Sequence, residues 1–301
     1  MNHKAGYVSI IGMPNAGKST LMNALIGEKL SIITKKPQTT RKKILGFLSE
    51  KDYQIIFQDT PGILDPDYLL QERMLESVFS AVEDSDLILF IIDIAIDKTG
   101  EKTLSDNNVI KLLKTKIPKV LLLNKVDLSD DKSVELSINS ISEKNIFNKI
   151  IPISAMLNFN IKQIIETVLE YIPEHPAYYP NDQLSDENER FFVSEIIREK
   201  IFELYREEIP YSTEVIIDEF KERENAKDYI RADIVVERES QKPIILGDKG
   251  ASIKKLGRIA REAVEEFLQR PVYLELFVKV REKWRSNPNF LKSYGYSKLD
   301  E

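Results

Sequence analysis

The chain has no cysteine. Disulfide frameworks and thiolate metal sites are therefore excluded, and a reducing cytoplasm suits the composition. Histidine is almost as scarce, with two residues in 301, so little is left for imidazole ligation of a metal. Long apolar runs are missing too. The longest, near residues 87–92, has the length of a strand and not of a bilayer-spanning helix. The opening stretch Met1–Gly6 lacks the apolar core of a signal peptide and runs straight into a strand-like segment, so a cleaved leader is not expected.

What is present is an ordinary globular composition, 42% hydrophobic and 31% charged. A length of 301 residues suits two domains better than one core. The net charge of −6 argues weakly against a nucleic-acid partner, but its distribution argues the other way. Residues 241–292 carry twelve Lys/Arg against six Asp/Glu, a net +6, and leave −12 for the rest. A basic segment on an acidic chain steers a polyanion to one face.

Residues 7–171 alternate β-branched runs with amphipathic stretches. The segments 7–12, 53–58, 87–93, 119–123 and 149–153 read as strands. Segments 20–25, 71–82, 104–114, 132–144 and 161–171 read as helices. This alternation predicts an α/β fold with a mixed, mostly parallel sheet covered on both faces. Three prolines between 172 and 186, with Asn181, Asp182 and Ser185, read as a linker. Beyond it the order is α-β-β-α-α-β. The expected organisation is a nucleotide domain at 1–172, a linker at 173–188, an α+β domain at 189–285 and a tail at 286–301.

Gly12-Met13-Pro14-Asn15-Ala16-Gly17-Lys18-Ser19 matches G-x-x-x-x-G-K-[ST] between a strand and a helix that continues through Thr20. The glycines let the backbone curl so that amides meet phosphate oxygens, Lys18 adds charge near the β/γ-phosphates, and the Ser19 hydroxyl can ligate Mg²⁺. Asp59-Thr60-Pro61-Gly62 closes a strand, where the aspartate can reach Mg²⁺ and the Gly62 amide a γ-phosphate. On its own that tetrapeptide is good turn chemistry anywhere. Asn124-Lys125-Val126-Asp127 follows another strand, and the Asp127 carboxylate can accept from guanine N1–H and N2–H₂, a donor pair adenine lacks. Ser154-Ala155 would set a backbone amide near guanine O6. Within Gln38-Thr39-Thr40-Arg41, Thr40, with Thr39 the alternative, is expected to close onto Mg²⁺ and the γ-phosphate. The expected catalytic set is Lys18, Thr40, Gly62 and Asn15, and the expected magnesium ligands are Ser19, Thr40 and Asp59.

In the second half, Gly247-Asp248-Lys249-Gly250 joins two helices and lets a nucleotide backbone lie against its amides, with Lys249 supplying charge. Ile253, with Ile244 and Ile245, would form the apolar side of a groove, and Lys254, Lys255, Arg258 and Arg261 would hold phosphates. A solvated helix face is the competing reading for at least half of those cations. Arg281, Lys283 and Arg285 would extend the basic surface around Trp284, itself either a packing residue or a stacking platform.

The five nucleotide motifs, in this order, resemble those of the translation-factor-related GTPases. The P-loop asparagine and the Gln38–Arg41 segment resemble the Era family of bacterial ribosome-assembly GTPases. The α-β-β-α-α-β order resembles a type II KH domain. Segments 209–212, 236–239, 245–254, 274–280 and 291–296 are similar to the same family's C-terminal domain, so the resemblance covers nearly the whole chain. It implies GTP and GDP as ligands, Mg²⁺ as cofactor, and binding to the 3′ end of 16S rRNA during 30S maturation. It also implies a cytoplasmic monomer with peripheral association to the inner membrane. Ile63 stands where Ras-like enzymes carry a water-orienting glutamine, which implies slow intrinsic turnover. Asn15 matches a position that in related GTPases helps bind K⁺. Three other readings are an RNA-binding module with an idle nucleotide site, a sister-family tRNA or ribosome GTPase, and a membrane-associated signalling GTPase.

Overall fold

A computed structural model describes residues 3–296, and these divide into two units. One holds the chain up to Asp67 together with Gln71–Asp186; the other holds Tyr68–Leu70 and the chain from Glu187 onward. Residues 1–2 of the expected nucleotide domain and 297–301 of the expected tail lie outside the described residues.

The first unit is built on six strands: β1 (Lys4–Gly12), β2 (Ile44–Ser49), β3 (Tyr53–Asp59), β4 (Leu87–Asp93), β5 (Lys119–Asn124) and β6 (Lys149–Pro152). Their order is β2-β3-β1-β4-β5-β6, all parallel except the antiparallel edge pair β2/β3. Central strands are buried on both faces, so they read as continuous apolar runs. In β4, Leu87, Leu89 and Ile91 join the core on one face, while Ile88, Phe90 and Ile92 join the core on the other. Helices α1 (Lys18–Ile26) and α6 (Ile161–Tyr171) bury residues in the first core. Helices α2 (Leu69–Glu83), α4 (Asn107–Leu113) and α5 (Asp131–Ser142) bury residues in the second. The chain leaves β1 toward β3 on one side and returns to β4 on the other. The carboxyl end of β1 is thus a topological switch point, where such sheets bind ligands.

Two local expectations change. The helix expected at 104–114 is split into α3 (Glu101–Leu104) and α4, because the Asp106 side chain accepts from the amides of Asn108 and Val109 and starts a new helix. Residues 173–186, expected as linker, lie on the first unit. Gln54 Oε1 accepts from the amides of Tyr178 (2.7 Å) and Tyr179 (2.9 Å), its Nε2 donates to Tyr179 O, and the Tyr179 ring stacks on Phe47 at 4.0 Å.

The second unit runs α7 (Glu189–Leu204), β7 (Glu214–Lys221), β8 (Asp228–Val236), α8 (Lys242–Leu246), α9 (Ala251–Leu268), β9 (Val272–Val280) and α10 (Pro288–Ser293). Its sheet is β7-β8-β9, with β7/β8 antiparallel and β8/β9 parallel. Alternate residues Ile230, Ala232, Ile234 and Val236 of β8 face α7 and α9 in one core, with Val193, Ile197, Leu256, Ala260 and Val264. Trp284 is fully buried and its indole N–H donates to Ser212 O at 2.8 Å, so it packs and offers no stacking face. Arg285 is committed to Glu237 at 2.5 Å and does not extend a free basic surface.

Candidate nucleotide and RNA sites

The loop between β1 and α1 is held open by side chains that take its carbonyls. Lys18 Nζ donates to Gly12 O (3.1 Å) and Met13 O (2.9 Å). Asn124 Nδ2 donates to Ala16 O at 2.8 Å, and Lys125 Nζ donates to Asn15 O at 3.0 Å. Lys125 is itself fixed by Asp93 at 2.5 Å. With four of the loop's carbonyls, those of Gly12, Met13, Asn15 and Ala16, turned to these donors, the amides that open α1, which have no helical acceptors of their own, are left for an anion. Gly17 sits at φ 103°, and a Cβ there would run into the Asn124 side-chain nitrogen, so glycine is required.

This loop, Thr20 and the segment 32–40 line a cavity of about 530 Å³. Pro14, Asn15, Gly17, Lys18, Ser19 and Thr40 line it, as do Gly62 and Lys125. Gly12, Met13, Ala16, Asp59, Thr60, Pro61, Asn124, Ser154 and Ala155 are outside the lining. Thr60 Oγ1 donates to Ile10 O (2.8 Å) and the Ile63 amide to Gly12 O (3.1 Å), which ties the Asp59–Gly62 turn to the phosphate loop. Asn124 works as a brace: besides Ala16 O, its Oδ1 accepts the Ala155 amide at 3.0 Å. That amide, expected to face guanine O6, is therefore engaged, while its neighbour Met156 lines the cavity. Asp127 is exposed, two residues past Lys125.

One oxygen cluster forms at the phosphate end. Ser19 Oγ lies 2.7 Å from Asp59 Oδ2 and 2.8 Å from Thr40 Oγ1. Thr39 instead turns to Thr34 (2.7 Å) and Lys36 O (2.8 Å), so Thr40 is the threonine brought to the cluster. Asp59 is fully buried, and its Oδ1 has no hydrogen-bond partner among the described residues. Burial raises its carboxyl above the ordinary range, against the Ser19 hydrogen bond and the Lys18 charge. Burial likewise pushes the Lys18 ammonium down to about 8, with Asp59 opposing. One orphaned buried carboxylate oxygen beside two hydroxyls is an all-oxygen donor set, which fits Mg²⁺ held by few protein ligands and by nucleotide phosphate. Ile63 is fully buried among Ile11, Val78 and Phe90, so it reaches no water at the phosphate end.

In the second unit, a groove of about 540 Å³ is lined by Ile253, Lys254, Arg258 and Arg261 of α9 and by Leu274 and Leu276 of β9. Lys227, Gly257, Val272 and Tyr273 complete it. Gly247, at φ 70° and ψ 177°, has no room for a Cβ against Ser252, whereas a Cβ on Gly250 would meet nothing within 4 Å. Asp248 and Lys249 are exposed in that turn. Lys255 is exposed outside the groove lining, and Ile245 is buried in the core, so neither forms the groove. Ile244 is exposed. The β9 wall and Lys227 escaped sequence reasoning, since only the sheet register brings them to α9.

Residues 7–125 match the model of the 50S ribosome-binding GTPase family, and residues 208–285 match that of the KH domain. The chain is 45% identical to GTPase Era of Clostridium botulinum (strain Okra / Type B1) over 297 residues, 98% of this chain and 99% of that protein. It is 44% identical to the chloroplastic GTPase ERA-like protein of Oryza sativa subsp. japonica, over 98% of this chain and 70% of that one. Among solved structures it is similar to Era in complex with MgGDPNP and nucleotides 1506–1542 of 16S ribosomal RNA. That match has TM-score 0.92 and 40% identity, covering 98% of this chain and all of the other. A variant of Aquifex aeolicus Era bound to GDP·AlF₄⁻ matches with TM-score 0.91 and 40% identity, over the same shares.

Proposed function

The chain belongs to the Era family of GTPases, and from that premise we propose that it hydrolyses GTP as a switch that binds the 3′-end region of 16S rRNA and assists 30S subunit assembly. The observation that carries this reading is the pairing of two sites on one chain. One is the Ser19–Asp59–Thr40 cluster under a nucleotide-sized cavity, and the other is the α9/β9 groove behind a Gly-x-x-Gly turn. A relative of the same fold is bound to both kinds of ligand at once. The KH domain favours this family over sister GTPases of tRNA modification, and the built phosphate end favours an enzyme over an idle site.

In this reading the first-turn amides of α1 and Lys18 hold the phosphates, and Asp127 accepts from the guanine edge. Ser19, Thr40 and Asp59 would hold Mg²⁺, which would supply positive charge against the charge that develops on the phosphates. The Gly62 amide faces the γ-phosphate. Binding of GTP orders residues 38–41 and the loop after Gly62. RNA affinity then depends on which nucleotide holds these loops. Bases rest on the Ile253, Leu274 and Leu276 wall while Lys254, Arg258 and Arg261 neutralise phosphates. Family membership further supports a cytoplasmic monomer that associates peripherally with the inner face of the membrane.

Potassium is part of the same proposal. Asn15 adopts φ 62° and its Nδ2 donates to Lys35 O at 3.3 Å, which directs the side chain across to the backbone of the segment 32–40. Asn15 and carbonyls of that loop would hold K⁺, supplying the charge an arginine finger brings elsewhere. Multiple-turnover phosphate release is expected to run about tenfold or more faster in potassium than in sodium chloride. Asn15→Ala should erase the difference; equal rates for the parent protein in the two salts would contradict it.

A further inference from the structure

Resting on the GTPase reading above, we propose that Gln71 is a positioning residue that latches the two nucleotide-responsive loops together through Gln38. Gln71 is 4% exposed, in the first turn of α2. Its Oε1 accepts the Asp67 amide at 2.7 Å, and its Nε2 donates to Gln38 Oε1 at 3.2 Å. One buried amide thereby grips the loop that follows Gly62 with one atom and the loop that carries Thr40 with the other.

The first bond alone would be ordinary helix capping, since a glutamine in the first turn commonly reaches back to a preceding amide. The second has no capping role: it spans 33 residues to a side chain that lines the nucleotide cavity. Gln38 is also held at φ 58°, a left-handed conformation that costs energy in a non-glycine residue. The second loop is gripped again by Asn108, whose Nδ2 donates to Leu64 O (3.3 Å) and Asp65 Oδ1 (3.1 Å). With that loop anchored to the sheet-covering helices, Gln71 transfers its position to Gln38 and hence to Thr39 and Thr40. The chain lacks a glutamine after Gly62, and Ile63 is turned into the core. No side chain at that position orients the attacking water, and this latch orders the phosphate end by making the two loops close as one body.

The test is steady-state GTP hydrolysis by the full chain in potassium buffer, alongside GDP affinity and thermal unfolding. Gln71→Leu is expected to lower kcat about tenfold while GDP affinity stays within about twofold of the parent, because the bond acts on loops that respond to the γ-phosphate. Gln38→Leu, which leaves the Asp67 cap intact, is expected to lose kcat to the same extent. The double variant should be no worse than either single one. Unchanged turnover in either variant, additive losses in the double variant, or a parallel fall in GDP affinity and melting temperature would each overturn the latch. A parent protein that hydrolyses no GTP would instead overturn the underlying reading.

Discussion

Replacing Lys18 by alanine is expected to weaken GTP and GDP binding by about 100-fold or more and to leave no hydrolysis measurable under conditions that saturate the parent. Two losses combine. The ammonium is the only side-chain cation in this loop aimed at the phosphate end, and it is 6% exposed, so water replaces little of its charge. The same group donates to Gly12 O and Met13 O, two of the carbonyls whose outward turn frees the loop amides. Its removal also leaves the buried Asp59 carboxylate without its opposing charge. Titration with a fluorescent GDP analogue measures the effect. The second unit has its own core, so RNA binding by nucleotide-free Lys18→Ala should match that of the nucleotide-free parent.

The second large effect is a change of base. Asp127→Asn is expected to cut GTP affinity by about 10³-fold, the range set by two charge-assisted hydrogen bonds, and to create binding of XTP. A carboxylate meets the two donors of guanine, N1–H and N2–H₂. A carboxamide meets the donor–carbonyl pair of xanthine. The swap is clean because the loop's architecture does not lean on Asp127. Asn124 braces Ala16 and Ala155, Lys125 braces Asn15 and Asp93, and Asp127 is left exposed. Competition of XTP and GTP for the variant checks it; unchanged preference for GTP would remove Asp127 from the base contact.

Features carried by local spacing were legible in the sequence. The phosphate loop was, because its carbonyl and amide geometry demands glycine at 17 and a lysine at 18 whatever surrounds them. The α-β-β-α-α-β order was too, since each element shows its own period. Features made by pairs far apart in the chain were not. Nothing local announces that Asn124 is a brace across 108 residues. The edge strand β2 hid behind the polar segment before it. Tyr178 and Tyr179 made residues 173–186 part of the first unit despite three prolines, because two rings and Gln54 outweigh a loop-like composition. Arg285 read as surface by charge, yet Glu237, 48 residues away, engages it; Trp284, open between packing and stacking, is buried and bonded to Ser212, 72 residues away.

The central claim is that one chain couples a GTP site to an RNA groove. It is tested most directly by titrating an RNA of the 16S 3′-end sequence onto the protein carrying a non-hydrolysable GTP analogue, GDP or no nucleotide. Affinity is predicted to be about tenfold tighter with the GTP analogue than with GDP, the usual size of such a coupling. Lys254→Ala with Arg258→Ala should weaken all three complexes and flatten their salt dependence. Equal RNA affinity in the three nucleotide states would contradict the account.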